Sequence, residues 1–87
     1  MKNILCYGDS NTFGTDPIHG GRHPRDVRWT GALGMLLGPD YYVIEEGCGG
    51  RTTVFDDVVS YGRNGLRTLV PCIASHNPLD LIIVMLG

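Results

Sequence analysis

Eighty-seven residues are enough for one small domain or for a portion of a larger one. Seven basic residues against nine acidic give a net charge of −2, and with no basic run a nucleic-acid partner is not expected. A hydrophobic share of 43 % and 13 glycines fit a folded α/β chain with tight turns and argue against disorder.

The chain begins with an apolar strand over Asn3–Tyr7, short and unbroken as in a parallel strand covered on both faces. Residues 11–25 are rich in Gly, Pro, Thr and His without periodicity, which reads as a long loop. Asp26 is the expected N-cap of a helix running to Leu37, with Trp29, Ala32, Leu33, Leu36 and Leu37 on one face. Gly38-Pro39-Asp40 ends it. A second strand over Tyr41–Ile44 leads into the glycine-rich turn Glu45–Gly50. A proline deep in a helix costs about 3 kcal/mol, so Pro71 places the second helix at Leu69–Ser75, capped by Thr68. An earlier start at Asn64 would imply a kink. Asn77-Pro78 stops this helix, and Leu79–Leu86 is the third strand.

Strand and helix alternate, which predicts an α/β fold with a parallel sheet and right-handed crossovers. Ligands gather beyond the carboxyl ends of such strands. Ser10, the Gly47–Gly50 turn and Gly87 all fall on that edge. A strand feeding the sharp turn Gly8-Asp9-Ser10 lifts a hydroxyl out of the sheet, where a base can activate it. Phe13 and Thr15 leave this turn directly and are candidates for the pocket rim.

Several other groups read as structural. Asp16-Pro17-Ile18-His19 has an Asp-x-x-His spacing but sits in the loop after the serine, where a solvated turn is the expectation. His23 and His76 have no carboxylate at a telling spacing and default to the surface. Asp56-Asp57 lacks a histidine or cysteine at ligand spacing, so no metal is expected there. Cys48 in the glycine turn reads as a small filler. Cys6, Cys48 and Cys72 form no CxxC pair and no secretory leader precedes the first strand, so reduced thiols and a cytoplasmic location are expected. The longest apolar run, Leu81–Leu86, is too short to span a membrane.

Gly8-Asp9-Ser10-Asn11 with Thr12 and Gly14 resembles the first motif block of the GDSL, or SGNH, hydrolases, serine esterases and acyltransferases on a flavodoxin-like three-layer α/β/α fold. Asp26-Val27-Arg28-Trp29-Thr30-Gly31, Val43-Ile44-Glu45-Glu46-Gly47, Arg51-Thr52-Thr53 and Pro78-Leu79-Asp80-Leu81 resemble the arylesterase/acyltransferase branch of that family. The resemblance implies that Ser10 is the nucleophile and that its backbone N–H is one oxyanion donor. It implies a second backbone donor at Gly50. Asp9, Asn11, Phe13 and Thr15 are then candidates for substrate contact.

The family's third block, Gly-x-Asn-Asp, would begin at Gly87, and its Asp-x-x-His block has no match after the third strand. The expectation is therefore the N-terminal βαβαβ portion of a single SGNH hydrolase domain, spanning residues 1–87 and inactive by itself. The resemblance implies a small ester as substrate, water or an alcohol as acceptor, homo-oligomers and no cofactor. Two other readings stay open: a non-catalytic interaction fragment, and a nucleotide- or phosphate-binding module. The second is disfavoured because no GxGxxG or GxxxxGK[ST] is present.

Overall fold

A computed structural model describes residues 1–87. In chain order it contains β1 (Lys2–Gly8), α1 (Ser10–Phe13), α2 (Trp29–Leu37), β2 (Tyr41–Gly47), α3 (Gly65–His76) and β3 (Leu81–Met85). The three strands form one parallel sheet in the order β2-β1-β3.

Side chains of a strand alternate between its faces, and this alternation builds the layers. Ile4 and Cys6 of β1 join Val43 of β2 in a buried cluster, against which Trp29, Leu33 and Leu37 of α2 pack together with Ile83 of β3. Tyr7 points to the opposite face. Its hydroxyl donates to the Gly65 carbonyl at 2.7 Å and lies 2.5 Å from Thr68 Oγ1, both on α3. The sheet is therefore sandwiched between α2 and α3. The order β2-β1-β3 reverses direction at β1, which makes the end of β1 a topological switch point, the usual place for a ligand crevice.

The element boundaries differ from expectation in instructive ways. A helical turn, α1, occupies Ser10–Phe13, where the long loop was expected to begin. The helix expected from Asp26 starts at Trp29 with Arg28 as N-cap and no side-chain cap. Val27 and Arg28 both donate their amides to the Pro24 carbonyl, so Asp26 is used in a turn instead.

Strand β2 continues through Glu45, Glu46 and Gly47, which pair with Cys6, Tyr7 and Gly8. These polar residues sit in the ladder because each carboxylate has a partner on one face of the sheet. Strand β3 is confined to Leu81–Met85.

Helix α3 begins four residues before the expected start. Asn64 caps it, its Oδ1 accepting the Arg67 amide at 3.2 Å while its Nδ2 donates to the Val54 carbonyl at 2.9 Å. Thr68, the expected cap, instead lies in the first turns and meets Tyr7. Pro71 is inside the helix, with its ring on the exposed side.

Candidate active site

Ser10 is the first residue of α1, immediately beyond β1, and is half-buried. Asp9 is the N-cap of that turn, and its carboxylate accepts the Asn11 amide at 3.1 Å. The Ser10 carbonyl accepts the amides of Gly14 and Thr15 at 2.9 and 3.0 Å, which fixes the serine's carbonyl at the end of the turn. Thr12 is wholly buried behind it and accepts the Trp29 indole N–H at 3.3 Å. Trp29 thus braces the serine turn as well as packing in the core.

Of the other expected contact residues, Asn11 and Thr15 are exposed and Phe13 is half-buried. The Arg22 guanidinium lies 4.2 Å over the Phe13 ring and donates to the Phe13 carbonyl at 2.6 Å. Asp9 differs from these because its carboxylate is already engaged as a cap.

The turn after β2 is packed directly onto the serine turn. A Cβ on Gly47 would stand 2.1 Å from the Phe13 nitrogen, so only glycine permits this approach. The Cys48 amide donates to the Gly8 carbonyl at 3.1 Å, continuing the ladder across the two turns. Arg51 Nη1 bridges the carbonyls of Gly8 (3.1 Å) and Glu46 (2.8 Å), and its guanidinium lies 3.9 Å over the Tyr7 ring. Gly50 is exposed at the rim of this assembly with φ +76°, a left-handed conformation that side chains disfavour. The Arg63 guanidinium rests against its Cα.

Behind the site, Glu45 is the electrostatic hub of the α2 face. Arg28 donates to both of its oxygens, Nε to Oε2 at 3.0 Å and Nη2 to Oε1 at 3.1 Å. Thr30 Oγ1 donates to Oε2, and Arg25 pairs with Oε1 at 3.1 Å. The Arg28 and Glu45 side chains are only 11 % and 9 % exposed. Burial pushes the Glu45 carboxyl up, but hydrogen bonds from Arg28 and Thr30 and the charges of Arg28 and Arg25 outweigh it and hold the group below its usual range. Cys6, facing Glu45 in the core, has its thiol pushed up to about 11 by burial and by that charge, which leaves it inert.

The remaining titratable candidates sort themselves by partner. His19 Nδ1 is 3.2 Å and His23 Nδ1 3.8 Å from Asp16 Oδ2. The amides of His19 and Ile18 hold the Asp16 carboxyl low, so the Asp-x-x-His at 16–19 closes on itself as an Asx-type turn at the surface. Asp56 pairs with Arg67 at 3.6 Å in an exposed position.

His76 departs from the sequence reading. Its Nε2 lies 2.8 Å from Glu46 Oε1, and both residues are half-buried. Thirty residues separate the pair, so no local spacing shows it. Arg28, Arg51 and His76 are the supporting residues that motif reasoning missed. The signal lay in Glu45-Glu46, because adjacent carboxylates within a strand must address opposite faces.

No family model matches the chain, and no curated protein matches it by sequence. Solved structures do. The whole chain is similar to the native aryl esterase of M. smegmatis, with 49 % identity and a TM-score of 0.96. It is equally similar to a carbohydrate acetylesterase family member from Sinorhizobium meliloti, with 50 % identity and a TM-score of 0.96. A second carbohydrate acetylesterase from Sinorhizobium meliloti matches at 45 % identity, again with a TM-score of 0.96. The chain spans 41–42 % of the length of these proteins. A parallel β2-β1-β3 sheet with this identity along all of these residues matches part of the SGNH hydrolase fold.

Proposed function

We propose that these residues form the nucleophile and oxyanion half of a serine ester hydrolase or acyltransferase acting on small esters. The observation that carries this reading is the direct packing of the β2 turn onto the Ser10 turn, which Gly47 alone makes possible. Ser10 would attack the ester carbonyl through its hydroxyl. The Ser10 and Gly50 amides would then receive the oxygen as its charge develops. A single such donor typically contributes ~10²–10³ in rate, because it acts on the transition state rather than the bound ester.

A serine hydroxyl needs a base. The Asp-x-x-His in these residues is folded on itself in the 16–19 turn, so the base and its orienting carboxylate would come from a further segment of the SGNH domain. Nucleophilic attack by a serine on an ester needs no cofactor in this scheme. A cytoplasmic location, supported by the free thiols, and homo-oligomers are part of the proposal.

The test is p-nitrophenyl acetate turnover by the 87 residues alone and by the same residues joined to a segment bearing Gly-x-Asn-Asp and Asp-x-x-His. The isolated chain should stay near background, and the joined form should turn over. Ser10→Ala in the joined form should reduce kcat by about 10⁴-fold or more. Turnover that survives Ser10→Ala would refute the nucleophile assignment.

A further inference from the structure

The two carboxylates at the end of β2 face different surroundings. Glu45 is saturated by Arg28, Thr30 and Arg25. Glu46 points to the other face, toward the last turns of α3. There Cys72 and His76, four residues apart, present their side chains from one side of the helix. The ligand atoms of Glu46, Cys72 and His76 lie within 4.8 Å of one another, and all three residues are half-buried.

We propose that Glu46, Cys72 and His76 form a three-ligand site for a divalent transition metal of the zinc type. One oxygen, one thiolate sulfur and one imidazole nitrogen make a donor set that suits zinc and does not suit magnesium or calcium. Two ligands at i and i+4 on a helix converge on one ion without moving the backbone, and the third is supplied from the strand the helix packs against. A tetrahedral ion with bonds of about 2.0–2.3 Å holds its ligand atoms about 3.5 Å apart. The His76–Glu46 contact at 2.8 Å therefore opens slightly, and Cys72, within 4.8 Å of both, needs only a small adjustment to join them. Three protein ligands leave the fourth position to water.

Two local features oppose the ion. Burial and the Glu46 charge keep Cys72 a thiol, a proton the metal must displace. Arg51 brings a positive charge to the same face, although its guanidinium is tied to the Gly8 and Glu46 carbonyls and lies on Tyr7. The consequence of binding is mechanical: the ion clamps α3 to the strand residue just before the Gly47–Gly50 turn. It requires nothing of Ser10 and stands independently of the esterase reading.

The experiment is titration of the metal-free chain with Co(II) and with Zn(II) against a competing chelator. The expected result is one equivalent bound with a thiolate-to-cobalt charge-transfer band. That band should persist in Cys48→Ser and vanish in Cys72→Ser. Affinity should fall on the order of 10-fold or more in His76→Gln and in Glu46→Gln. Far-UV circular dichroism shows whether each variant is folded. Should Cys72→Ser not fold, alkylation of the wild-type chain decides: zinc must protect Cys72 and leave Cys48 reactive. Absence of a bound equivalent, a band that survives Cys72→Ser, or no protection of Cys72 overturns the site and leaves a hydrogen-bonded His76–Glu46 pair.

Discussion

Val43 and Leu81 are both paired with Ile4, one on each side of β1, and their fates are opposite. Val43 is 4 % exposed and Leu81 is 51 % exposed. Hydropathy does not separate them, and neither does pairing. What differs is the helix above. Trp29, Leu33 and Leu37 cover Val43, with Arg28 at the start of α2 paired to Glu45 of β2, whereas on β3 this cover extends only to Ile83. On this face of the sheet, burial follows the reach of α2.

Removing the Arg28–Glu45 pair is the strongest way to erase that difference. Arg28→Ala leaves a largely buried carboxylate with only the exposed Arg25 as a charged partner, and breaking such a pair from one side typically costs about 3–5 kcal/mol. A small domain has little more than that in total. The urea midpoint should therefore fall drastically, and Trp29 fluorescence should show its indole becoming solvated. A loss below about 1 kcal/mol, within the range of surface pairs, would mean that apolar packing alone seats α2.

Acid titration weakens the same pair by degrees. Glu45 is held below its ordinary value of 4.5, so its ionised form is favoured by folding. The sign follows: its contribution is complete above pH 4.5 and is lost as pH drops through the lower folded value. Glu45→Gln should be less stable than the wild type at neutral pH, and the gap should shrink as pH falls below 4.5. Asp16 and Asp57 also titrate low, but they are common to both proteins and cancel in the difference. A gap that is constant down to acid pH would mean that Glu45 acts through shape alone.

The same contrast explains how far the sequence could be read. The order of elements, the strand apolarity and the Ser10 turn are local signals, set by period and by glycine, and the structure contains them all. Long-range partners are not local. Glu45 and Glu46 read as a turn because their side-chain partners lie 17 and 30 residues away. The penalty carried by Pro71 points to a later start for α3, while the Tyr7–Thr68 contact that favours the earlier one, beside the Asn64 cap, exists only once β1 is in place. The turn after β2 is legible as glycines, but its seating on Phe13 is not, since that contact joins two turns at the end of the sheet.

The smallest expected effect lies at the exposed edge. Leu81→Thr keeps a β-favouring residue at a half-exposed position, so its cost in the isolated chain should stay within about 0.5 kcal/mol, as for surface substitutions generally. Ile83→Thr, two residues on, strikes the α2-side cluster and should cost clearly more. The value of Leu81→Thr is its dependence on concentration. Edge strands pair with other chains, and β3 presents an apolar five-residue edge with nothing beyond it in the sheet. If a second copy covers that edge, stability becomes concentration-dependent and the Leu81 substitution grows in cost with protein concentration. A Leu81→Thr effect that stays small across a hundredfold range, together with a monomer on size-exclusion, would show that β3 remains open. Burial would then depend, on this side of β1, on chain segments other than these.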